Sequence, residues 1–311
     1  MAAHHWQSPM ATGSSDMFVE RLRRELASPP VPVDAATLAQ VFRHDTVTVV
    51  AIRPPSFADF PDLVLRVRGA LGNALYSLGP PVRWRKSAEA LPRAWDILQV
   101  DVLPGLPKPM VLQTDVVGDE IRIHAHLTGH GAYWLPDVEA ALVAACDGGI
   151  SLSNESKIRT PLEVLSVHRT SFGGFVPPAV AISEARLLFE TPMRLRSGLA
   201  SRASASSFII ALANRIKGLA SWQGYALEQD WSALHHLAWN IEAVTDGLVG
   251  YRWERGSQRA KARIPVLGLL GELIFRGNLG QLIPFLQVGE AFNAGSHASL
   301  GLGRYKLLLL P

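Results

Sequence analysis

The feature that most constrains the fold is an alternation of strand-like and helix-like runs that occurs twice, on either side of a Gly/Pro stretch. In the first half, Thr46–Ile52 is β-branched and reads as a strand ended by Pro54-Pro55. Leu63, Val67, Ala70, Leu71, Ala74, Leu75 and Leu78 recur at helical spacing, and Gly79-Pro80-Pro81 closes that helix. Met110–Thr114 and Glu120–Thr128 read as strands, Leu135–Cys146 as a helix ended at Asp147-Gly148-Gly149, and Leu162–Arg169 as another strand. Ser171–Pro178 has linker composition. Gly174-Phe175-Val176 faintly echoes an RNA-recognition signature, but Pro177-Pro178 argues against a continuing strand. The alternation then resumes with a strand at Glu184–Phe189 and helices at Ser206–Leu219 and Trp231–Val244. A basic strand or hairpin follows at Arg252–Arg263, then a strand-like stretch at Gly268–Gly277, a helix at Leu279–Val288 interrupted by Pro284, and a last strand at Tyr305–Leu310.

Two successive mixed blocks predict tandem α+β domains rather than one doubly wound sheet, and the strand–helix–strand rhythm fits ferredoxin-like (RRM-like) units. The expected organisation is a flexible tail over 1–16, an N-terminal domain over 17–170, a linker over 171–183 and a C-terminal domain over 184–311. Before the first strand, Phe18–Leu26 reads as a short helix, Pro29–Pro32 as a turn, and a second helix starts at Asp34.

Composition narrows the function classes. The only cysteine, Cys146, leaves no intramolecular disulfide and no cysteine-built zinc site. The polar N-terminal stretch has no signal-like apolar run, and no window approaches the roughly 20 apolar residues of a membrane span. A cytoplasmic protein with no membrane association is expected. The charge is uneven: residues 1–155 hold 13 Lys/Arg against 17 Asp/Glu, residues 156–311 hold 17 against 10. That asymmetry points to a polyanion partner. Arg252, Arg255, Arg259, Lys261 and Arg263 are opposed only by Glu254, with Tyr251 and Trp253 interleaved. Arginine forks grip phosphates and aromatic faces stack unpaired bases, although a solvated basic face would look the same.

The loop Gly295–Gly303 follows a helix and precedes a strand, the reverse of a dinucleotide fingerprint, so a Rossmann reading fails. Gly295, Gly301 and Gly303 would let backbone amides near phosphate, or make a tight connection and no more. His297 in the loop titrates near neutrality and can move a proton, and Arg304 follows it. His124 and His126 share one strand face; with no cluster of further ligands nearby, structural or surface histidine is their ordinary reading. His235 and His236 point about 100° apart on a helix. There is no G-x-S-x-G, Walker or H-E-x-x-H motif, and no metal or cofactor is expected.

Gly268–Gly271, Leu282–Leu286 with its proline, and Gly289–Gly295 running through Ser299-Leu300-Gly301-Leu302-Gly303-Arg304-Tyr305 resemble the end of the CRISPR precursor-RNA processing endoribonucleases of the RAMP superfamily. Trp253–Arg259 and Phe189–Pro192 are similar to that family's upstream runs. Leu65–Leu75, Lys108–Leu112 and Gly118-Asp119 resemble its first domain more loosely. The resemblance implies tandem ferredoxin-like domains and metal-independent cleavage of CRISPR repeat RNA. A 2′-hydroxyl attacks the adjacent phosphate, leaving a 2′,3′-cyclic phosphate and a 5′-hydroxyl. The chain departs from the pattern in having Asn73 in the first helix and no histidine between Asp45 and His124; Ser296, Gly256 and Ala260 also replace usual residues.

On this reading His297 is the first candidate for acid/base work and His44 the second, with Arg68 among the groups that stabilise the phosphorane charge. The RNA-binding set is Arg66, Arg252, Arg255, Arg259, Lys261, Arg263, Gly295, Ser296, Gly301, Gly303 and Arg304. The expected partner is CRISPR repeat RNA. The alternative is a non-catalytic RNA-binding subunit of a CRISPR effector complex, with other effector subunits as partners; a third reading is a structural α+β protein with a solvated basic stripe.

Overall fold

In a computed structural model, the structure describes residues 13–28, 31–55, 57, 63–78, 94–98, 103, 105–151, 159–194, 205–257 and 262–311. The elements run α1 (Gly13–Ala27), β1 (Val31–Val33), α2 (Ala35–Val41), β2 (Arg43–Ile52), α3 (Leu63–Ser77), α4 (Ala94–Leu98), β3 (Met110–Val117), β4 (Glu120–Thr128), α5 (Leu135–Asp147) and β5 (Val164–Gly173). The second half holds β6 (Glu184–Met193), α6 (Ala205–Trp222), β7 (Tyr225–Leu227), α7 (Trp231–Trp239), β8 (Glu242–Val244), β9 (Leu248–Ser257), β10 (Ala262–Arg276), α8 (Ile283–Phe292) and β11 (Tyr305–Leu310).

Each half is a ferredoxin-like unit. The first sheet has the antiparallel order β3-β4-β2-β5, with α3 and α5 as its two crossovers. The second sheet repeats it as β11-β6-β10 with β8 and β9 both pairing β10, and α6 and α8 as crossovers. In β2 and β4 every second residue is apolar and buried (Val47, Val49 and Ala51; Ile121, Ile123, Ala125 and Leu127) and packs with the α3 stripe Val64, Val67, Leu71 and Leu75. Full burial of one such side chain is worth about 1.5–3 kcal/mol.

The two cores exchange residues. Trp222 of α6 and Leu302 of the glycine-rich loop sit in the first core, while Leu38, Ala39 and Phe42 around α2 and Val111 of β3 sit in the second. β1 pairs parallel with β7, tying the N-terminal stretch to the second half. Gln223 holds the junction from both sides: its amide donates to Thr128 Oγ1 at 2.9 Å and its carbonyl accepts from the Arg43 N–H at 2.9 Å.

Three elements differ from the sequence reading. The helix expected over Trp231–Val244 stops at Trp239, and Glu242–Val244 pairs with Ile274–Arg276 as β8; its β-branched end finds a strand partner that periodicity cannot show. Pro284 lies in the first turn of α8 rather than interrupting it, because a first-turn residue has no helical acceptor to lose. Ser171–Gly173 continue β5 instead of opening the linker.

Candidate active site

The outer face of the first sheet is polar. Even-numbered residues of β2 (His44, Thr46 and Thr48) lie across from Thr128, His126 and His124 of β4, and β3 adds Gln113 opposite His124. Thr46 Oγ1 is 2.8 Å from His126 Nδ1, and Thr48 Oγ1 is 2.9 Å from His124 Nδ1. His124 Nε2 is 3.1 Å from Asp115 Oδ2. His168 of β5 faces Thr48 from the other side in register and hydrogen-bonds Ser166.

The histidines on this face are in two states. His44 is 8% exposed, stacked on Phe172 with ring centroids 4.9 Å apart and edge-on to Phe292 at 5.3 Å. Burial pushes its pKa down to about 4 against the pull of Asp45. Burial, then the charges of His44, His124 and Arg304, push His126 down to about 3. Both are neutral rings; His44 is buried among aromatics, whereas His126 is half-buried and edge-on to His44 at 5.3 Å. His44, the second acid/base candidate of the sequence, thus lies enclosed between Phe172 and Phe292. His124 is different: its side chain is 21% exposed.

The glycine-rich loop packs against this sheet. Gly301 and Gly303 have φ near +90° and +70°. A Cβ at Gly301 would meet the Val64 side chain of α3 and the Leu112 carbonyl, and one at Gly303 the Ala294 carbonyl. The amides of Ser296, Gly301 and Gly303 donate to Arg194, Ala298 and Pro192 carbonyls. Gly301 therefore serves close approach between domains and Gly303 close approach within the loop, and the three amides reach a phosphate only by giving up internal bonds. His297, at φ +67°, stands half-buried at the loop's turn. Asn293 (φ +59°, ψ 161°) is buried and strained; its Oδ1 accepts from Gln113 Nε2 at 3.1 Å, joining loop to sheet. Arg215 Nε and Nη2 donate to the Phe292 carbonyl at 3.1 and 3.0 Å, holding the C-terminal end of α8.

Arg304, read as a phosphate ligand, is committed elsewhere. It is 14% exposed, donates to both Asp115 oxygens at 2.8 and 3.2 Å and to the Thr114 carbonyl, and pairs with Glu190. Burial raises the Asp115 carboxyl, but hydrogen bonds from His124 and Arg304 outweigh it and hold that group well below the usual carboxylate range.

The remaining predicted residues scatter. Arg66 and Arg68 lie half-buried on α3, with Arg66 donating to the Ser151 carbonyl at 3.2 Å. Arg252 is exposed on β9, and its register partner on β10 is Leu267; Arg255 lies opposite Ile264, and Arg263 opposite Gly256. Arg259 and Lys261 lie outside the described residues. Sequence reasoning missed Asp115, Thr48, Gln113 and Asn293. The signal for the first three is the strand alternation that places His124 and His126 on one face; nothing local marks Asn293.

Among the described residues no three His, Cys, Asp or Glu converge on a metal position, and no helix is long and apolar enough to cross a membrane. Residues 187–305, from β6 to the start of β11, match the family model of the CRISPR-associated endoribonuclease Cas6. Over this stretch the chain is similar to the Cas6 family. A Cas6 product complex superposes with a TM-score of 0.51 at 15% identity, covering 88% of this chain and 100% of the other. A mutant of another Cas6 gives 0.51 at 14%, covering 87% and 100%. A partial Cas6-RT-Cas1–Cas2 complex gives 0.50 at 11%, covering 87% of this chain and 47% of that one. No curated protein matches the chain by sequence. At these identities the structural likeness is one of fold, and the tandem ferredoxin-like architecture is shared with Cas6.

Proposed function

We propose that this protein cleaves CRISPR repeat RNA without a metal ion, by attack of a ribose 2′-hydroxyl on the adjacent phosphate to give 2′,3′-cyclic phosphate and 5′-hydroxyl ends. The observation that carries the reading is the glycine-rich loop. It lies within the stretch that matches Cas6, is packed against both domains, and presents His297 from a left-handed turn. The reaction needs a group to take the 2′ proton, a group to protonate the leaving 5′-oxygen, and positive charge near the phosphorane. His297 supplies the acid, and Arg68 on α3, beside the loop's Val64 contact, supplies charge. Arg252, Arg255 and Arg263 on the β9–β10 hairpin, with Arg259 and Lys261 between the two strands in sequence, bind the RNA backbone.

Purified protein is expected to cut repeat RNA in EDTA and to spare a substrate carrying 2′-deoxyribose at the scissile position, because DNA has no 2′-hydroxyl. Cutting that requires a divalent ion, or cutting of the deoxy substrate, overturns the mechanism. A second reading, RNA binding without turnover, is favoured by the closed packing of His44 and the internal ion pairs of Arg304. It predicts steeply salt-dependent binding and intact RNA.

A further inference from the structure

We infer that His124 is the general base of the cleavage proposed above, taking the 2′-hydroxyl proton at Nδ1 through the Thr48 hydroxyl; the inference rests on that reading of the function. A carboxylate only accepts, so the proton shared with Asp115 Oδ2 at 3.1 Å belongs to His124 Nε2. In the neutral ring Nδ1 is then the acceptor, and the Thr48 hydroxyl 2.9 Å away donates to it. Hydroxyl, imidazole and carboxylate thus form the order in which a base is oriented by one neighbour and receives a proton from the other. Arg304 clamps the far side of Asp115 and keeps it ionised, so the carboxylate steadies the imidazolium once formed. Thr48 and His124 are half-buried and keep access to solvent, unlike the buried His44 on the same face. Gln113, the register partner of His124, is bonded to Asn293 in the segment entering the glycine-rich loop, so the triad lies beside the matched segment.

In the step, the O2′–P bond forms and the P–O5′ bond breaks. The 2′ proton passes to Thr48 Oγ1 as the Thr48 proton passes to His124 Nδ1, and the leaving 5′-oxygen takes a proton from His297. No electron acceptor or added reactant is involved. The titratable and charged groups facing His124 are Asp115 from β3, Arg122 and His126 from β4, His44 from β2, His168 from β5 across Thr48, and Arg304 from the end of the loop.

The test is single-turnover cleavage of repeat RNA from pH 5 to 9, alongside RNA affinity and a thermal melt. His124→Ala is expected to bind RNA and melt like wild type but to cleave about 100-fold or more slowly, with partial rescue by added imidazole. His124→Gln, which retains a partner for Thr48, serves if the alanine variant is unstable, and should be as slow. Asp115→Asn, a positioning change, should lower the plateau and move the acidic limb of the profile to lower pH, since the imidazolium loses its carboxylate. His168→Ala should cleave normally. A folded, RNA-binding His124 variant that cleaves within about threefold of wild type at every pH overturns the inference and leaves the proposed function standing. Wild-type protein that leaves bound repeat RNA intact overturns the proposed function, and the inference with it.

Discussion

The two ferredoxin-like sheets share a strand order but carry opposite chemistry on their outer faces. The first presents His44, Thr46, Thr48, His124 and His126, imidazoles and hydroxyls of which two pairs are hydrogen-bonded to each other. The second presents permanent charge. Arg186 and Arg276 both pair with Glu184 at 2.7 and 2.8 Å, and Lys306 with Glu190 at 2.6 Å, between exposed Leu188 and Leu308. Duplicated topology therefore does not duplicate function. A face of permanent charges can hold a surface together but cannot pass a proton at neutral pH, whereas an imidazole face can. The first face also needs the second domain, because Phe292, Asn293 and Arg304 close over it.

The sharpest way to break the contrast is to part the two domains at the loop. Gly301→Val places a β-branched residue at φ near +90° against Val64 and the Leu112 carbonyl. Strain and overpacking together should cost about 3 kcal/mol or more. A urea titration should show the lower midpoint. An unchanged midpoint would mean the loop is not wedged against α3 and β3.

The next effect comes from the buried imidazoles. His44 has a folded pKa of about 4 against 6.5 when unfolded, so between those values the unfolded chain binds more protons. The stabilisation is complete above about pH 6.5 and declines as pH falls toward 4, by roughly 3 kcal/mol for this residue over the window. His126 shifts in the same direction and adds to the loss. Urea midpoints at pH 7, 5.5 and 4.5 should fall in that order, and His44→Phe should flatten the decline. A flat wild-type profile would show that these rings are not held neutral.

How much of this was legible depends on what each element owes to local pattern. β4 and β11 appear with the bounds their apolar alternation predicts, and α3 within a residue of its periodic stripe, because one buried face per element writes itself into the sequence. β8 was invisible because Glu242–Val244 become a strand only by finding β10. The same limit applies to the site. That His124 and His126 share a face follows from a period of two, but the partners each ring takes do not. The outcome depends on register with Thr46 and Thr48, 80 and 76 residues away in sequence, and on Phe292 arriving from the second domain. Arg304 was a plausible phosphate ligand beside the loop until the fold brought Asp115, 189 residues distant, against it.

The smallest expected effect is on the second outer face, and it sharpens the comparison by being small. Arg276 sits 46% exposed, so its pairing with Glu184 is screened by water and ions and opposed by the entropy of fixing two side chains. Arg276→Ala should shift the urea midpoint only slightly in low salt, and the difference from wild type should vanish as salt is raised. It should not steepen the decline of stability as pH falls from 6.5, since it touches none of the imidazoles and only relaxes the lowered Glu184 carboxyl toward its ordinary range. If removing this one surface arginine instead steepened the acid decline, the two sheets would be coupled through β6 and β11. The proton chemistry of the first face could not then be treated as its own.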